Sequence, residues 1–225
     1  DSVTQVLQVP EGGKKATFLK SYANATKLFR LGDEDIAIAT WGSGNIGARS
    51  VGGLILDYAA SLDDVPSTIG EVAARLEEYV LPVYRASFSE MPAKDQPVLG
   101  FLVGGFSSGQ PLSELWEVRF PGGKSGSNRT RPVRQQDEFG ANWRGIEIPF
   151  ARLHLGYDPR LLPKLVSVGI PEDTVRETLR GFETPVVFDS MPIQDAIDFA
   201  RHILRTTIAV STFEVGVNAC GESLQ

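Results

Sequence analysis

The chain has 225 residues, a net charge of −6 and a pI near 5.1, with 42% hydrophobic and 22% charged residues. This composition is ordinary for a soluble globular protein, and the sequence has no apolar run long enough to cross a bilayer, so a membrane protein is not expected. The acidic balance argues against nucleic acid as the main partner, because binding to phosphates needs clustered Lys and Arg. The basic cluster within residues 124–134 lies among Gly, Ser and Asn and is interpreted as a solvated loop.

Cysteine and histidine are too scarce to predict a metal site. Cys220 is the sole cysteine, which excludes an intrachain disulfide and a cysteine-based metal site and fits a reducing cytoplasm. His154 and His202 both fall in predicted helices, where an ordinary surface or core histidine is the simpler interpretation. We therefore predict a cytoplasmic protein that forms one domain over residues 1–225 and uses no metal or cofactor.

The chain begins with segments typical of strands. Residues 1–9 alternate polar and apolar side chains, which favours a half-buried strand, and residues 10–15 read as a polar turn. Residues 17–31 and 36–41 are both β-capable, and the turn at 32–34 between them predicts a hairpin.

Two helices are expected next. The glycine cluster at residues 42–47 predicts a tight turn, and the apolar spacing after it predicts a helix from about Ile46 to Leu62. A second helix should begin at Ser67 or Thr68, with Glu71 placed for a capping box. Its predicted buried face consists of Val72, Leu76, Tyr79, Val80 and Val83.

The second half of the chain predicts strands and then helices. Strands are expected at 98–106, 112–120 and 131–139, followed by helices at 149–157, 171–180 and 192–208. The order of strands, two helices, strands and helices predicts an α+β fold with antiparallel sheets, not alternating βαβ units.

Residues 42–47, GSGNIG, match the GxGxxG pattern of dinucleotide-binding turns. They follow a predicted strand, and Asp63 or Asp64 lies near the required distance. That fingerprint, however, belongs to a βαβ unit, and here a second helix stands where the return strand should be. A dinucleotide-binding oxidoreductase is therefore kept only as a minor alternative.

Residues 105–109, GFSSG, match the GxSxG pattern of a nucleophile elbow. An elbow needs a helix after the serine, whereas Gln110-Pro111 and another strand follow here. Ser107 and Ser108 are therefore expected to satisfy local backbone groups in a hairpin turn.

The succession of segments resembles the proteasome β-type subunits, in particular the bacterial proteasome-like proteins of the N-terminal-nucleophile hydrolase superfamily. The segments that carry the resemblance cover nearly the whole chain in order: DSVTQ, ATKLFRL, DIAIATWGSGNIG, VLGFLVGGF, LSELWEVRFPGG and PIQDAIDFARHIL. The resemblance implies a four-layer αββα sandwich, in which two antiparallel sheets face each other between helix pairs.

The resemblance also implies the chemistry. The family's nucleophile is an N-terminal threonine whose own α-amino group serves as base. Lys27 matches the family's lysine, Asp1 matches the aspartate of its AxD strand, and Gly42 matches the glycine whose backbone N–H stabilises the oxyanion. Thr40 and Gly44 flank that turn and are expected to line the substrate pocket, with Trp41 closing its back.

Several features depart from the family pattern. The nucleophilic strand is expected to precede Asp1, and a last pair of strands to follow Gln225. The family's accessory serine would fall near Ala141 or Asn142, where no hydroxyl stands, and Val3 occupies a place where many catalytic members carry arginine.

The resemblance predicts a threonine-type peptidase that cleaves peptide bonds and acts on peptides or unfolded proteins. A homo-oligomer is expected, with a ring as one form of it and an ATP-dependent unfoldase as a candidate partner. The alternative from another class is a non-catalytic subunit of the same fold that serves structure or assembly.

Overall fold

The computed structural model describes residues 4–8, 17–22, 25–32, 34–121, 129–134 and 138–213, with the backbone alone for the first two ranges. The chain divides into two units, which are described separately. One holds residues 4–20 and 25–139 as far as they are described, and the other holds residues 140–213 together with a short piece of an early strand. The single domain expected from the sequence stays a prediction.

The described strands are β1 (Thr4–Gln8), β2 (Thr17–Tyr22), β3 (Leu28–Arg30), β4 (Ile36–Gly42), β5 (Asn45–Ile46), β6 (Arg49–Ser50), β7 (Leu99–Gly105), β8 (Glu114–Phe120) and β9 (Thr130–Arg134). The described helices are α1 (Val51–Ala60), α2 (Ile69–Phe88), α3 (Ile148–Leu155), α4 (Leu161–Ser167), α5 (Glu172–Arg180) and α6 (Ile193–Ser211).

The first unit is built on a five-stranded sheet of order β3-β4-β7-β8-β9. Neighbouring strands in it all pair antiparallel. β1 pairs with β2 in a separate two-stranded sheet. The α+β class with an antiparallel sheet, predicted from the order of the segments, is confirmed.

Alternation along the central strands decides which face of the sheet is buried. In β4, Ile36 and Ile38 are buried while Ala37 is exposed, as the two-residue period of a strand requires. The buried face packs with α1 and α2 in one core. Further fully buried members of that core are Leu54, Tyr58, Val72, Leu76, Leu99, Phe101, Val103, Val118 and Phe120.

Helix α2 begins where the sequence predicts. Thr68 is its N-cap, and its hydroxyl accepts a hydrogen bond from the Glu71 N–H at 3.2 Å. The Thr68 hydroxyl also lies 3.3 Å from a carboxylate oxygen of Glu71. Of the predicted buried face, Val72, Leu76 and Val80 are fully buried, and Tyr79 and Val83 are partly buried against the core.

The predicted start of the first helix at Ile46 is wrong. Ile46 and Arg49 instead pair across a small antiparallel ribbon, and Gly47 in its turn has φ +56°, outside the helical range. Helix α1 starts only at Val51, because the Ser50 side chain caps it by accepting from the Gly53 N–H at 3.1 Å.

Other boundaries also move. Residues 17–31, read as one β-capable segment, form β2 and β3 with residues 25–27 outside either strand. Helix α4 was not predicted from the sequence, and none of its seven residues is buried. Helix α6 runs to Ser211, three residues beyond its predicted end at Ile208.

The second unit is helical and packs around Phe150. This ring lies 5.0 Å from Trp143, 5.6 Å from His154 and 5.8 Å from His202, measured between ring centres. Both histidines therefore act as members of an aromatic cluster. None of the helices in the described ranges combines the length and apolar character needed to cross a membrane.

Alkaline pH is expected to weaken the first unit through two tyrosines. The hydroxyls of Tyr58 and Tyr84 donate to the Val72 and Pro97 carbonyls at 2.9 and 2.7 Å, and burial raises both pKa values from 10.0 to about 12. The protonated phenols thus stabilise the fold fully below pH 10, and this stabilisation is lost as pH rises from about 10 to 12. Urea unfolding across that range measures the loss.

The matched control is the Tyr58→Phe/Tyr84→Phe double variant. It should lose about 1 kcal/mol per deleted hydrogen bond at pH 8, but its stability should fall less steeply above pH 10. The same slope in both proteins would show that these phenols do not govern the alkaline transition.

Candidate functional site

Lys27 and Thr40 lie side by side at one end of the edge strand pair. The register pairs Leu28 with Ala39, and it continues by one residue because the Thr40 N–H donates to the Lys27 carbonyl at 2.8 Å. Residues directly opposite each other in an antiparallel pair place their side chains on the same face. Both side chains are half-buried.

The Gly42 amide points toward the same edge. Thr40 bonds to β3, whereas the Ser43 N–H donates to the Val98 carbonyl before β7 at 2.7 Å. Backbone polar groups of successive residues in a strand point to opposite neighbours, and those of alternate residues point to the same one, so strand alternation directs the amide of Gly42, like that of Thr40, to the β3 side. The described pairing with β3 ends at Lys27, and Gly42 itself is exposed.

These relations bring two of the predicted catalytic residues together. Gly42 is two residues beyond Thr40 and therefore stands diagonally across from Lys27, at roughly 7–8 Å between Cα atoms for such a diagonal. A cationic side chain and the backbone donor of an exposed residue at this spacing can act on one bound group, the first by its field and the second by a hydrogen bond.

Only glycine fits position 42. Its φ is +87°, and a Cβ atom added there would lie 2.3 Å from the Val98 carbonyl oxygen. Two separate constraints, the left-handed backbone and the close approach of a neighbouring carbonyl, therefore require the residue that the sequence singled out.

Gly44 supports the start of a helix through its carbonyl, whereas a phosphate-binding glycine offers its N–H to a ligand. The Gly44 carbonyl accepts from the Val51 N–H at 2.9 Å and so supports the start of α1. Because α1 begins nine residues after Gly42, the amides of Gly42 and Gly44 are not among its first-turn donors. Two helices separate β4 from β7, and these strands are antiparallel, so the βαβ unit of a dinucleotide fold is absent from this part of the described chain.

Trp41 lies on the other face of the sheet from Thr40. Its ring covers the backbone of Gly100, where a Cβ atom would come within 2.1 Å of the indole. The guanidinium carbon of Arg119 stands 5.6 Å from the ring centre, and the buried indole Nε1 has no hydrogen-bond partner in the part of the chain that is described. By strand alternation, Trp41 is directed away from the face that Lys27 and Thr40 share.

Asp1, the third predicted catalytic residue, lies outside the described residues. In the described part of the chain, no group of three or more His, Cys, Asp or Glu side chains is arranged to hold a metal ion.

Ser107 of the GFSSG segment is part of a buried network. Its hydroxyl accepts from the Ile69 N–H at the start of α2, at 3.1 Å, and donates to the Glu114 carboxylate. The Trp116 indole N–H donates to the same carboxylate at 3.0 Å. The backbone N–H that bonds to Ser107 is 38 residues away in the sequence, so the expected local hydrogen bond is not what this serine makes. Its hydroxyl donates to a carboxylate, whereas a catalytic serine donates to an imidazole. Ser107 therefore joins α2 to β8.

Sequence reasoning missed the residues that support the Gly42 turn from behind. Val98 contacts the turn through its carbonyl, and Tyr84 of α2 donates to the Pro97 carbonyl just before it. The one signal in the sequence is the aromatic residue at a helix position facing the sheet, and it does not reveal which carbonyl it reaches.

Comparison of the chain with protein-family models, with curated proteins and with solved structures gives no match. A function assigned to this site therefore rests on the residues of the chain and their geometry.

Substituting Gly42 by Ala is expected to destabilise the protein more than the same change at Gly32. Gly32 also has a positive φ, +59°, but a Cβ there would meet nothing within 4 Å. Gly32→Ala should therefore cost about 1–2 kcal/mol for the backbone conformation alone. Gly42→Ala adds the collision with Val98 and should cost roughly 2–5 kcal/mol in all. Urea unfolding of both variants measures the difference, and equal losses would contradict the described approach of Val98.

Substituting Ser107 by Ala is expected to lower the free energy of unfolding by about 1–3 kcal/mol, because a buried N–H and a carboxylate oxygen lose their partner. The neighbouring Ser108 is exposed and bonds to Ser67 through its backbone N–H. Ser108→Ala should therefore stay within about 0.5 kcal/mol of the wild type. Chemical denaturation of both variants tests the network, and a neutral Ser107→Ala would refute it.

Proposed function

We propose that this protein is a proteasome-like N-terminal-nucleophile peptidase of the threonine type, which cleaves peptide bonds. The observation that carries the proposal is the β3–β4 register, which sets Lys27 diagonally across from the exposed residue Gly42 at one end of the strand pair. The resemblance of the sequence assigns these two positions their roles, and their proximity is what a shared catalytic centre would require.

The fold requirements of the proposal agree with the first unit. A four-layer αββα sandwich needs an antiparallel sheet with a helix pair on one face, and the β3-β4-β7-β8-β9 sheet with α1 and α2 is compatible with such a half. The second sheet and second helix layer of the sandwich are part of the proposal.

In the proposed reaction, the hydroxyl of an N-terminal threonine, which the resemblance implies, attacks the peptide carbonyl, and the α-amino group of that threonine takes the proton. The Lys27 ammonium lowers the energy of the alkoxide-like nucleophile through its positive field. Asp1 is proposed to hold that lysine. The carbonyl oxygen becomes negatively charged in the tetrahedral state, and the Gly42 N–H donates a hydrogen bond to it. Collapse of this state breaks the C–N bond as the α-ammonium group returns its proton to the leaving amine, and water then hydrolyses the acyl-threonine ester to free the carboxylate and the hydroxyl.

Substrate contacts are proposed for the strand and turn around Gly42. Thr40 shares a face with Lys27, and Gly44 follows in the turn, so both would border a peptide held at the site. Trp41 is on the opposite face, where its ring supports β7 at Gly100. We therefore replace its expected role at the back of the pocket by a structural one, in which Trp41 holds in place the strand that carries Thr40 and Gly42.

The partners and the location are part of the same proposal. The substrate is a peptide or an unfolded protein, the subunits form a homo-oligomer for which a ring is one form, and an ATP-dependent unfoldase is a candidate partner. The compartment is the cytoplasm.

A non-catalytic structural or assembly subunit is the second candidate. It is favoured by Ala141 and Asn142, which stand where the resemblance implies an accessory hydroxyl. The two functions differ in the residue that begins the mature chain, which mass spectrometry of the purified protein identifies. A Thr, Ser or Cys released by processing supports the peptidase, and any other residue supports the structural subunit.

Lys27→Ala in the full-length protein should lower kcat for a fluorogenic peptide by about 10²- to 10⁴-fold, since the proton-transfer step loses its positive field. Lys164 lies exposed on α4, and Lys164→Ala removes the same charge at a distance from β3 and β4 in the chain, so its kcat should stay within about twofold of the wild type. Full activity in Lys27→Ala would refute the assignment.

A further inference from the structure

The backbone at Gly42 takes its position from the carbonyl of Val98. That carbonyl accepts from the Ser43 N–H at 2.7 Å and stands where a side chain at Gly42 would have to be. The Val98 carbonyl therefore fixes the Ser43 amide and restrains the backbone of Gly42, the residue whose own N–H is the proposed donor.

The side chain of Val98 does little to fix that carbonyl. It is 39% exposed, and the residue precedes β7, which begins at Leu99. Its position must come from its neighbours, and Leu99 after it is fully buried. On the other side stands Pro97, which has no N–H to donate, so its carbonyl is the polar backbone group through which it can be held.

Tyr84 holds the Pro97 carbonyl. The hydroxyl donates to it at 2.7 Å from a ring that is 4% exposed. That ring lies 5.0 Å from Phe88 and 5.1 Å from Phe120, measured between centres, so the hydroxyl is presented from a packed aromatic group. A hydrogen bond from such a ring has little freedom to shift.

A second set of hydrogen bonds, which we call the second tie, holds the segment of residues 96–98 before β7. The Gln96 side-chain amide donates to the carbonyls of Phe88 and Met91 at 3.1 and 3.2 Å. Both ties join the segment before β7 to the C-terminal end of α2. The helix and the Gly42 turn are thereby connected through Pro97 and Val98.

We propose that Tyr84 is a positioning residue for the Gly42 amide: its hydroxyl holds the Pro97 carbonyl and thereby places the Val98 carbonyl against Ser43 and Gly42. This inference rests on the proposed function for its catalytic meaning, and on the described hydrogen bonds for its geometry. Tyr84 does not touch the substrate. It acts only through the segment that it holds.

The chain provides a matched control for the test. Tyr58 is also a buried tyrosine that donates to a backbone carbonyl, that of Val72, at 2.9 Å, and it lies on α1, whereas Tyr84 lies on α2. Tyr58→Phe and Tyr84→Phe each remove one buried hydroxyl and one hydrogen bond. Both variants should lower Tm by about 2–4 °C. Only Tyr84→Phe should affect the Gly42 turn.

The readouts are peptide hydrolysis and amide hydrogen exchange in the full-length protein. In Tyr84→Phe, kcat for a fluorogenic peptide should fall about tenfold with KM unchanged, because an oxyanion donor acts mainly in the transition state. Exchange of the Ser43 N–H should quicken about tenfold. In Tyr58→Phe, kcat should stay within twofold, and Ser43 exchange should change no more than that of the core amides.

Equal kcat values and equal Ser43 exchange in the two variants would overturn the inference. A wild-type protein without peptidase activity would instead overturn the proposed function, and the exchange rates alone would then decide whether Tyr84 positions the turn. If Tyr84→Phe fails to fold, Gln96→Met removes the other tie to the same segment. The same selective rise in Ser43 exchange is then expected, and its absence would overturn the inference.

Discussion

The candidate site in the first unit depends on the unequal lengths of two paired strands. β4 runs from Ile36 to Gly42, whereas β3 covers only Leu28 to Arg30 and its pairing reaches Lys27 at the end. Up to Thr40, the backbone groups of β4 that face β3 form hydrogen bonds with it. Two residues later, by strand alternation, the Gly42 amide points the same way and lies beyond the end of the described pairing. The candidate site is thus a product of where one strand stops.

Several features of this arrangement were predictable from the sequence. The alternation of Ile36 and Ile38 gives the buried face of β4, and Thr68 with Glu71 gives the start of α2. Both signals are local and lie within a few residues. The lysine and the glycine of the site were identified by resemblance, and strand register then explains why residues 15 positions apart in the sequence lie close together.

Other features could not be predicted, because contacts with distant parts of the chain outweigh the local sequence pattern. The segment at Ile46 has helical spacing, but burial of that side chain in a ribbon and the positive φ of Gly47 outweigh it. The resemblance placed Trp41 at the back of the pocket, and that expectation did not take strand alternation into account. As a strand residue, it is directed to the face opposite Thr40. Ser107 matches a catalytic pattern over five residues, yet its partners Ile69 and Glu114 come from two other elements.

The position of Trp41 makes its fluorescence sensitive to the structure of this strand end. Its indole rests on the Gly100 backbone, is approached by the Arg119 guanidinium, and belongs to the residue next to Gly42 in the chain. Indole emission responds to nearby charge and to solvent, so a shift of this strand end would change the fluorescence of Trp41. With Trp116 and Trp143 replaced by Phe, the protein would carry its own spectroscopic label within one peptide bond of the candidate oxyanion donor.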